Sequence, residues 1–402
     1  MANTFLTIQD VTREVLRLFV GKMQAVKSVN RGYDASFGKV GRKIGESLSV
    51  RLPNKFTVGT GAAVTAQDIT ETYVPVVLNT QKNVAVEITS RDLTLSLDDV
   101  SERILAPAAA KLAAQVETDL LTLIAQNSFL QAGTPGTAIT DTGVFFDAMA
   151  KLQDFLVPFD DIIQLIAPKS YARAGKLMLN LFTPITNEKI HEGAVGHAFG
   201  ADWYVSQYQY AQTVGAYSGT PLVNGATQTG STIALDGFGN SITGALKKGD
   251  IISFAGVNFV HPLTGVDTGS LAQFVVTADA NSNGTGQVNV TVYPSLIVSG
   301  ATKTVTGSPA DNAAVTIAGA ASSTYRTNIL MHKDVAVLAM APLDVPGAVP
   351  GNVYTEVDPE SGLSVTVEQY RDGRTGSTLW RLDVLYGVAS LRKECGVRVV
   401  TE

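Results

Sequence analysis

The sequence predicts an α+β protein in which a compact all-β domain interrupts a mixed α and β body. Three observations lead there. Segments with helical and strand periodicity alternate between residues 141 and 205, and apolar strands return from Tyr325 onward. Between them, residues 216–322 shift to Gly, Thr, Ser, Val and Asn, with short strand candidates at turn-rich spacing. Before residue 90 the chain reads as an amphipathic helix followed by a long extended excursion.

Taken in order, Thr7 and Asp10 form a capping pattern, and Ile8, Val11, Val15, Leu18, Phe19 and Met23 recur at helical spacing. A helix near 7–27 is expected. Gly32, Gly38, Gly41 and Gly45 then break a basic stretch, and Ser47 to Leu52 alternates as a strand does. From Pro53 to Gln81 Thr and Gly are frequent and large apolar residues few; Asn83 to Thr89 alternates again, with Val84, Val86 and Ile88 on one face. This reads as a long two-stranded hairpin reaching beyond its own body.

Ser96 with Asp99 gives a second capping signal, and Pro107 suits a first helical position. Residues 107–126, with Leu112, Val116, Leu120, Leu123 and Ile124 on one stripe, predict a helix about 30 Å long. Further on, Val144–Leu156 and Ser170–Leu181 read as helices, Ile162–Ala167 and Trp203–Val205 as strands. Inside the β-rich region, strands are expected at 232–235, 250–254, 273–277, 287–292 and 314–317; Val288, Val290 and Val292 share one face. After it come 335–339, 363–367, 379–385 and 396–400.

The chain has 402 residues, 45 % of them hydrophobic and 16 % charged, enough for two or three packed domains. Its single cysteine, Cys395, excludes an internal disulfide and suits a reducing cytoplasm; a strand position is expected for it. Asp10, Arg13 and Glu14 among the first residues argue against a signal peptide, and no charge-free run is long enough to span a bilayer. A net charge of -6 argues against a dedicated DNA-binding protein. The charge is uneven, however. Arg13, Arg17, Lys22, Lys27, Arg31, Lys39, Arg42, Lys43, Arg51 and Lys55 outnumber Asp10, Glu14, Asp34 and Glu46 in residues 1–55. That end is either a solvated helix face with an arm or a surface for a partner.

The search for chemistry yields no catalytic, cofactor-binding or metal residue. His191, Glu192 and His197 come nearest to a metal motif, but the histidines stand six apart and Gly193 and Gly196 argue for a loop. His261 and His332 are isolated. Gly237, Gly239 and Gly244 are followed by no Gly-Lys-Ser/Thr, so they read as turns. Asp98 and Asp99 read as acids at a helix start. No G-x-S-x-G segment is present, and Cys395 has no histidine close in sequence.

Three runs carry a family resemblance. Gly244-Ala245-Leu246-Lys247-Lys248-Gly249-Asp250-Ile251-Ile252-Ser253-Phe254-Ala255-Gly256-Val257 closely resembles a segment in the inserted domain of coat proteins from Salmonella-type short-tailed phages. Arg326-Thr327-Asn328, and Leu385-Tyr386-Gly387-Val388 followed by Arg392, resemble later segments of tailed-phage capsid proteins. The resemblance implies an α+β fold of the Hong Kong ninety-seven capsid type with an inserted all-β small barrel. Mapped here, it implies an N-terminal arm (1–45), a peripheral domain (46–137) with an E-loop (52–82) and spine helix (107–126), an axial domain in two parts (138–215 and 323–402) and the insertion (216–322). The function implied is a non-enzymatic major capsid protein of the virion, an icosahedral shell assembled in the host bacterial cytoplasm. The partners implied are further copies in hexamers and pentamers, a scaffolding protein, a portal protein, packaged double-stranded DNA held non-specifically and decoration proteins, with no cofactor and no membrane. In relatives a charged loop of the insertion contacts a neighbour across a two-fold axis, whereas 216–245 here holds Asp236 as its only acid. The alternatives are an encapsulin-like cellular shell protein, disfavoured by the insertion, and an extracellular β-rich glycan-binding protein, which lacks a secretion signal and convergent acids with aromatics.

Overall fold

The structure is a computed structural model. It describes residues 8–30, 47–54, 56, 66, 71–89, 105–178, 196–345, 352–358, 362–371 and 377–401. The chain divides into two compact units: Met1–Arg51, Tyr73–Leu120 and Ala336–Ala389 form the first, and Leu52–Thr72, Leu121–Val335 and Ser390–Glu402 the second.

In the first unit, helix α1 (Ile8–Lys22) buries Val11, Val15, Leu16 and Phe19 on the stripe its spacing predicts, and Met23 and Val26 continue the apolar surface. The helix packs on strands Val353–Val357 and Ser364–Arg371. Gln9 Nε2 donates to the Tyr354 hydroxyl at 2.8 Å, and Arg13 Nε lies 3.7 Å from Glu356 Oε1. Residues 8–30 of the expected arm are therefore folded onto their own unit, because a stripe of that width is buried more favourably against a sheet than left in water; residues 31–45 lie outside the described residues.

The sheet beneath α1 has the order Ala336–Ala341, Ser377–Ser390, Ser364–Arg371, Val353–Val357, and Thr80–Thr89 also pairs with Ser377–Ser390, from Thr80 opposite Tyr386 to Thr89 opposite Ser377. The return strand of the hairpin is consequently not Asn83–Thr89. Ser47–Arg51 pairs instead with Tyr73–Val77, Ser47 opposite Val77 and Arg51 opposite Tyr73. Most of the excursion between these strands, and the Ser96–Asp99 signal, lie outside the described residues.

Helix α2 spans Ala106–Asn127, and the chain passes from the first unit to the second within it. Its Leu112, Val116, Leu120 and Ile124 are buried, as the stripe predicts. Helices α3 (Gly143–Asp154) and α4 (Pro168–Met178) follow. The second unit's main sheet runs Leu130–Ala132, Gly396–Val400, Thr324–His332, Ile162–Ile166, Ala201–Val205, His197–Ala198, with Ala211–Thr213 pairing the start of Thr324–His332. Its inner strands are buried on both faces, so they read as apolar runs without alternation.

The region 216–322 forms a six-stranded antiparallel sheet in the order Val315–Ile317, Ile251–Phe254, Phe274–Val276, Val288–Leu296, Gly230–Phe238, Gly219–Val223. A bridge between Leu222 and Ala314, with Val223 N–H donating to Ala313 O at 3.0 Å, joins the last strand to the first and closes a small barrel. Strand 288–296 alternates buried and exposed from Val288 to Val292, as expected. The C-terminal segment 323–402, mapped from sequence as one piece, is shared: Thr324–His332 and Gly396–Val400 belong to the second unit and the strands between Ala336 and Ala389 to the first. The cause is pairing: Ser377–Ser390 finds its ladder partners in Thr80–Thr89 and Ser364–Arg371.

Candidate functional site

The three runs that carry the resemblance fold into buried anchors. The first joins the barrel to the main sheet of the same unit. Asp250, at the start of barrel strand Ile251–Phe254, is fully buried; its Oδ1 accepts from Gln212 Nε2 at 2.8 Å, and its Oδ2 from the backbone N–H of Lys247 at 2.8 Å and of Gly215 at 3.0 Å. Gln212 lies on Ala211–Thr213, the strand that leads from the main sheet toward the barrel. From the other side comes Arg398, at the centre of strand Gly396–Val400, wholly buried and donating through Nη1 to Gly249 O at 2.7 Å. Burial raises the Asp250 carboxyl above its ordinary value, opposed by its three hydrogen bonds and the Arg398 charge; burial likewise lowers the Arg398 guanidinium, opposed by Tyr325 and Asp250. Gly249 has φ +93°, and a Cβ there would lie 2.5 Å from Gln212 Oε1, so glycine is required for both the turn and the approach.

An aromatic seam completes this anchor. Phe129, at the end of α2, meets Phe155, Phe259 and Tyr293 edge-on at 5.4, 5.7 and 5.7 Å, and Phe155 meets Phe259 at 5.1 Å. Lys393 Nζ sits 4.2 Å above the Tyr293 ring. Lys151 of α3 donates to Gln131 O, and Gln273 of the barrel accepts from Gln131 N–H at 2.9 Å.

The second run places Asn328 in the middle of Thr324–His332, where it ties the strands on both sides: Oδ1 accepts from Ala167 N–H at 2.8 Å and Nδ2 donates to Val399 O at 3.1 Å. Thr327 Oγ1 donates to Tyr210 O at 2.8 Å. The third run belongs to the first unit. Tyr386 donates to Asp119 of α2, and a Cβ on Gly387 would stand 2.3 Å from Val77 O, so this strand passes the hairpin's return strand with no room for a side chain.

These polar groups face one another rather than a substrate. Among the described residues no three His, Cys, Asp or Glu side chains gather to hold a metal, and no helix is long and apolar enough to cross a membrane. His191, Glu192, Asp98 and Asp99 lie outside the described residues. His197 Nδ1 is 2.9 Å from Asp202 Oδ1; His261 Nδ1 accepts from Thr264 N–H at 3.3 Å and closes a turn; His332 is buried, which lowers its pKa. Gly237 sits where the ladder with Gly219–Val223 shifts register, with φ +73°. Cys395 is not in a strand but in a 3-10 turn, Lys393–Cys395, just before the closing strand, and burial pushes its thiol up to about 12. Sequence reasoning missed Arg398. The available signal was an arginine inside the apolar run Gly396–Val400, since a buried charge demands a partner.

The arrangement is that of a closed barrel fixed to a sheet by directional buried contacts, with a separate two-stranded sheet, Ser47–Arg51 with Tyr73–Val77, in the first unit. A family model described as P22 coat protein, gene protein 5, matches residues 1–400. The chain belongs to this family of phage coat proteins. It is similar to the major capsid protein of Acyrthosiphon pisum secondary endosymbiont phage 1, 24 % identical over 407 residues that cover 94 % of this chain and 93 % of that one. Among solved structures it is similar to one from Mycobacterium phage Che8 (12 % identity, TM-score 0.48, 94 % and 90 % of the two chains) and to the capsid of Ralstonia phage GP4 (8 %, 0.47, 95 % and 90 %). Those structural likenesses are coarse, and the assignment rests on the family match.

Proposed function

We propose that the chain is the major capsid protein whose copies, as hexamers and pentamers, build the icosahedral head enclosing the double-stranded DNA of a tailed phage, assembled in the bacterial cytoplasm. One observation carries the reading beyond the family. Ser47–Arg51 and Tyr73–Val77 form a two-stranded sheet with no third strand among the described residues, and residues 52–72 link its two strands. A lone two-stranded ribbon is marginal in water, so its open edges gain most from a neighbouring copy. On this reading 46–137, joined by the strands between Ala336 and Ala389, is the peripheral domain and 52–82 its E-loop, the axial domain is built from 138–215 with Thr324–His332 and Gly396–Val400, and the barrel of 216–322 braces it. Such a shell needs one portal vertex and a scaffolding protein. It holds DNA non-specifically, consistent with net acidity, and decoration proteins would bind outside. The basic N-terminal segment suits a scaffold contact. Of Arg13, Arg17 and Lys22, however, Arg13 pairs with Glu356 and Arg17 with Glu14 at 2.6 Å, so the segment's attraction is weaker than its composition suggests.

The test is deletion of residues 54–70, which spares both paired strands. The variant should fold, with circular dichroism and melting like the parent, yet form no shells where the parent does. Shells of normal yield and size would overturn the proposal.

A further inference from the structure

The barrel carries a cleft that none of its anchors uses. Its volume is about 270 Å³, and five carboxamide side chains, Asn224, Asn281, Asn283, Gln287 and Asn289, line it around Ala234. No charged or aromatic side chain among the described residues lines it. Strand register brings these groups together. Asn289 stands opposite Ala234 in the ladder of Gly230–Phe238 with Val288–Leu296, and from the other side Asn224 N–H donates to Ala234 O at 3.0 Å. Residues opposite one another on neighbouring strands share a face, and Ile233, Leu235, Val288 and Val290 take the buried one. Asn224, Ala234 and Asn289 therefore form a row on the barrel's outer surface, hollow at its centre because alanine is the shortest of the three.

Internal hydrogen bonds fix the walls and leave amide groups over. Gln228 Nε2 donates to Asn224 O at 2.8 Å and to Ala234 O at 3.0 Å, while its Oε1 accepts from Ala234 N–H at 2.7 Å. Asn283 Oδ1 accepts from the N–H groups of Thr285 and Gln287 at 3.0 and 2.8 Å, and its Nδ2 donates to Gln287 Oε1 at 3.2 Å. Asn281 Oδ1 accepts from Gly244 N–H at 2.7 Å. Gly286 seats this turn on the barrel: its φ is +75°, and a Cβ there would stand 2.2 Å from Phe238 O. Among the described residues no hydrogen bond engages Asn281 Nδ2, Gln287 Nε2 or either end of the Asn224 and Asn289 amides.

What those groups can satisfy selects the ligand. A free carboxamide offers both a donor and an acceptor. A charged ligand would meet no opposite charge here, and an apolar one would cover polar groups without pairing them. A peptide strand is taken up at an open sheet edge, whereas this barrel is closed by the bridge between Leu222 and Ala314. Hydroxyl groups both donate and accept, and a volume below the roughly 300 Å³ at which drug-sized sites begin suits a ligand of about one sugar ring.

We infer that this cleft binds a neutral saccharide, with the hydroxyl groups of one sugar ring held between Asn224 and Asn289 over Ala234. The activity is separate from shell assembly and does not depend on it. With no aromatic ring to stack on, the dissociation constant per site is about millimolar. Saturation-transfer NMR on the full-length chain tests the inference, with the methyl glycosides of glucose, galactose and N-acetylglucosamine as probes at about 10 mM. At least one should bind. Asn224→Ala with Asn289→Ala should weaken that binding about tenfold or more at the parent melting temperature. Ala234→Leu, which fills the hollow and leaves every amide in place, should weaken it as much, so a variant that keeps the parent melting temperature is at hand even if the other does not. Absence of binding by all three glycosides overturns the inference, and so does parent-like binding in either well-folded variant. Binding of acetyl-triglycine amide but of no glycoside would assign the cleft to a peptide and overturn it as well.

Discussion

The seven-stranded sheet that carries the barrel and the five-stranded sheet that carries α1 are made of similar apolar strands, yet they are locked differently. In the first, buried polar side chains cross the strands: Asn328 ties two neighbours, and Arg398 and Asp250 reach from sheet to barrel and back. In the second, buried polar groups also cross the strands, as where Gln81 donates to the buried Asp383 at 2.9 Å, but α1 itself is held on the sheet mainly by apolar packing, and the exposed Arg13–Glu356 contact adds little. Burial is non-directional, so it holds a helix on a sheet but leaves its rotation loosely set. A domain inserted through two chain crossings has to be held at one angle, and hydrogen bonds supply the direction.

That contrast can be broken by substitution, with the largest effect at the barrel anchor. Arg398→Ala leaves the buried Asp250 carboxylate without its opposing charge and should cost about 3–5 kcal/mol of stability by urea unfolding of the unassembled chain, whereas Arg398→Met should cost less. A loss below about 1 kcal/mol for the alanine variant would remove the polar anchor from the account. Asn328→Ala, which strands a buried N–H and a buried carbonyl, should cost about 2–3 kcal/mol by the same measurement. In the first unit, Gly387→Ala forces a methyl group against Val77 O and should cost about 1–3 kcal/mol, with faster amide exchange at Tyr73–Val77 as the local readout.

The pH dependence sharpens the comparison. Burial raises the Asp250 carboxyl, so above its ordinary value of 3.8 the folded chain binds more protons than the unfolded one. The Asp250 contribution is therefore fully present at acid pH and is lost as pH rises through its raised folded pKa. Asp250→Asn should flatten that part of the stability curve, and an unchanged slope would place the titrating group elsewhere. The smallest effect is expected at the surface of α1, where Arg13→Ala should change stability by less than about 1 kcal/mol and lose even that in high salt.

The two regions were also unequally legible in the sequence. Helix stripes were readable: 107–126 against the observed Ala106–Asn127, and 144–156 against Gly143–Asp154, where the left-handed Leu156 lies past the end. Strand 288–296 showed its alternation because one of its faces meets water. Tyr73–Val77 stayed hidden because Pro75 lies in its middle, a residue that argues against a strand except in an edge position. Gly219–Val223 hides Pro221 in the same way. Thr324–His332 was visible only as the start of a returning β region, since a central strand buried on both faces has no period to read. The anchors were legible as a likeness before they were legible as physics. Lys247 to Asp250 stood out as a motif, but its partners Gln212 and Arg398 are 38 and 148 residues from Asp250, and only folding brings them together.

The most direct measurement is a cryo-electron microscopy reconstruction of particles formed by the full-length chain. It should reveal closed shells of hexamers and pentamers, with the hairpin between Arg51 and Tyr73 lying over the adjacent copy and the barrel seated on its own main sheet. A chain that stays a small monodisperse species under every assembly condition, or a shell in which that hairpin folds back on its own subunit, would contradict the account.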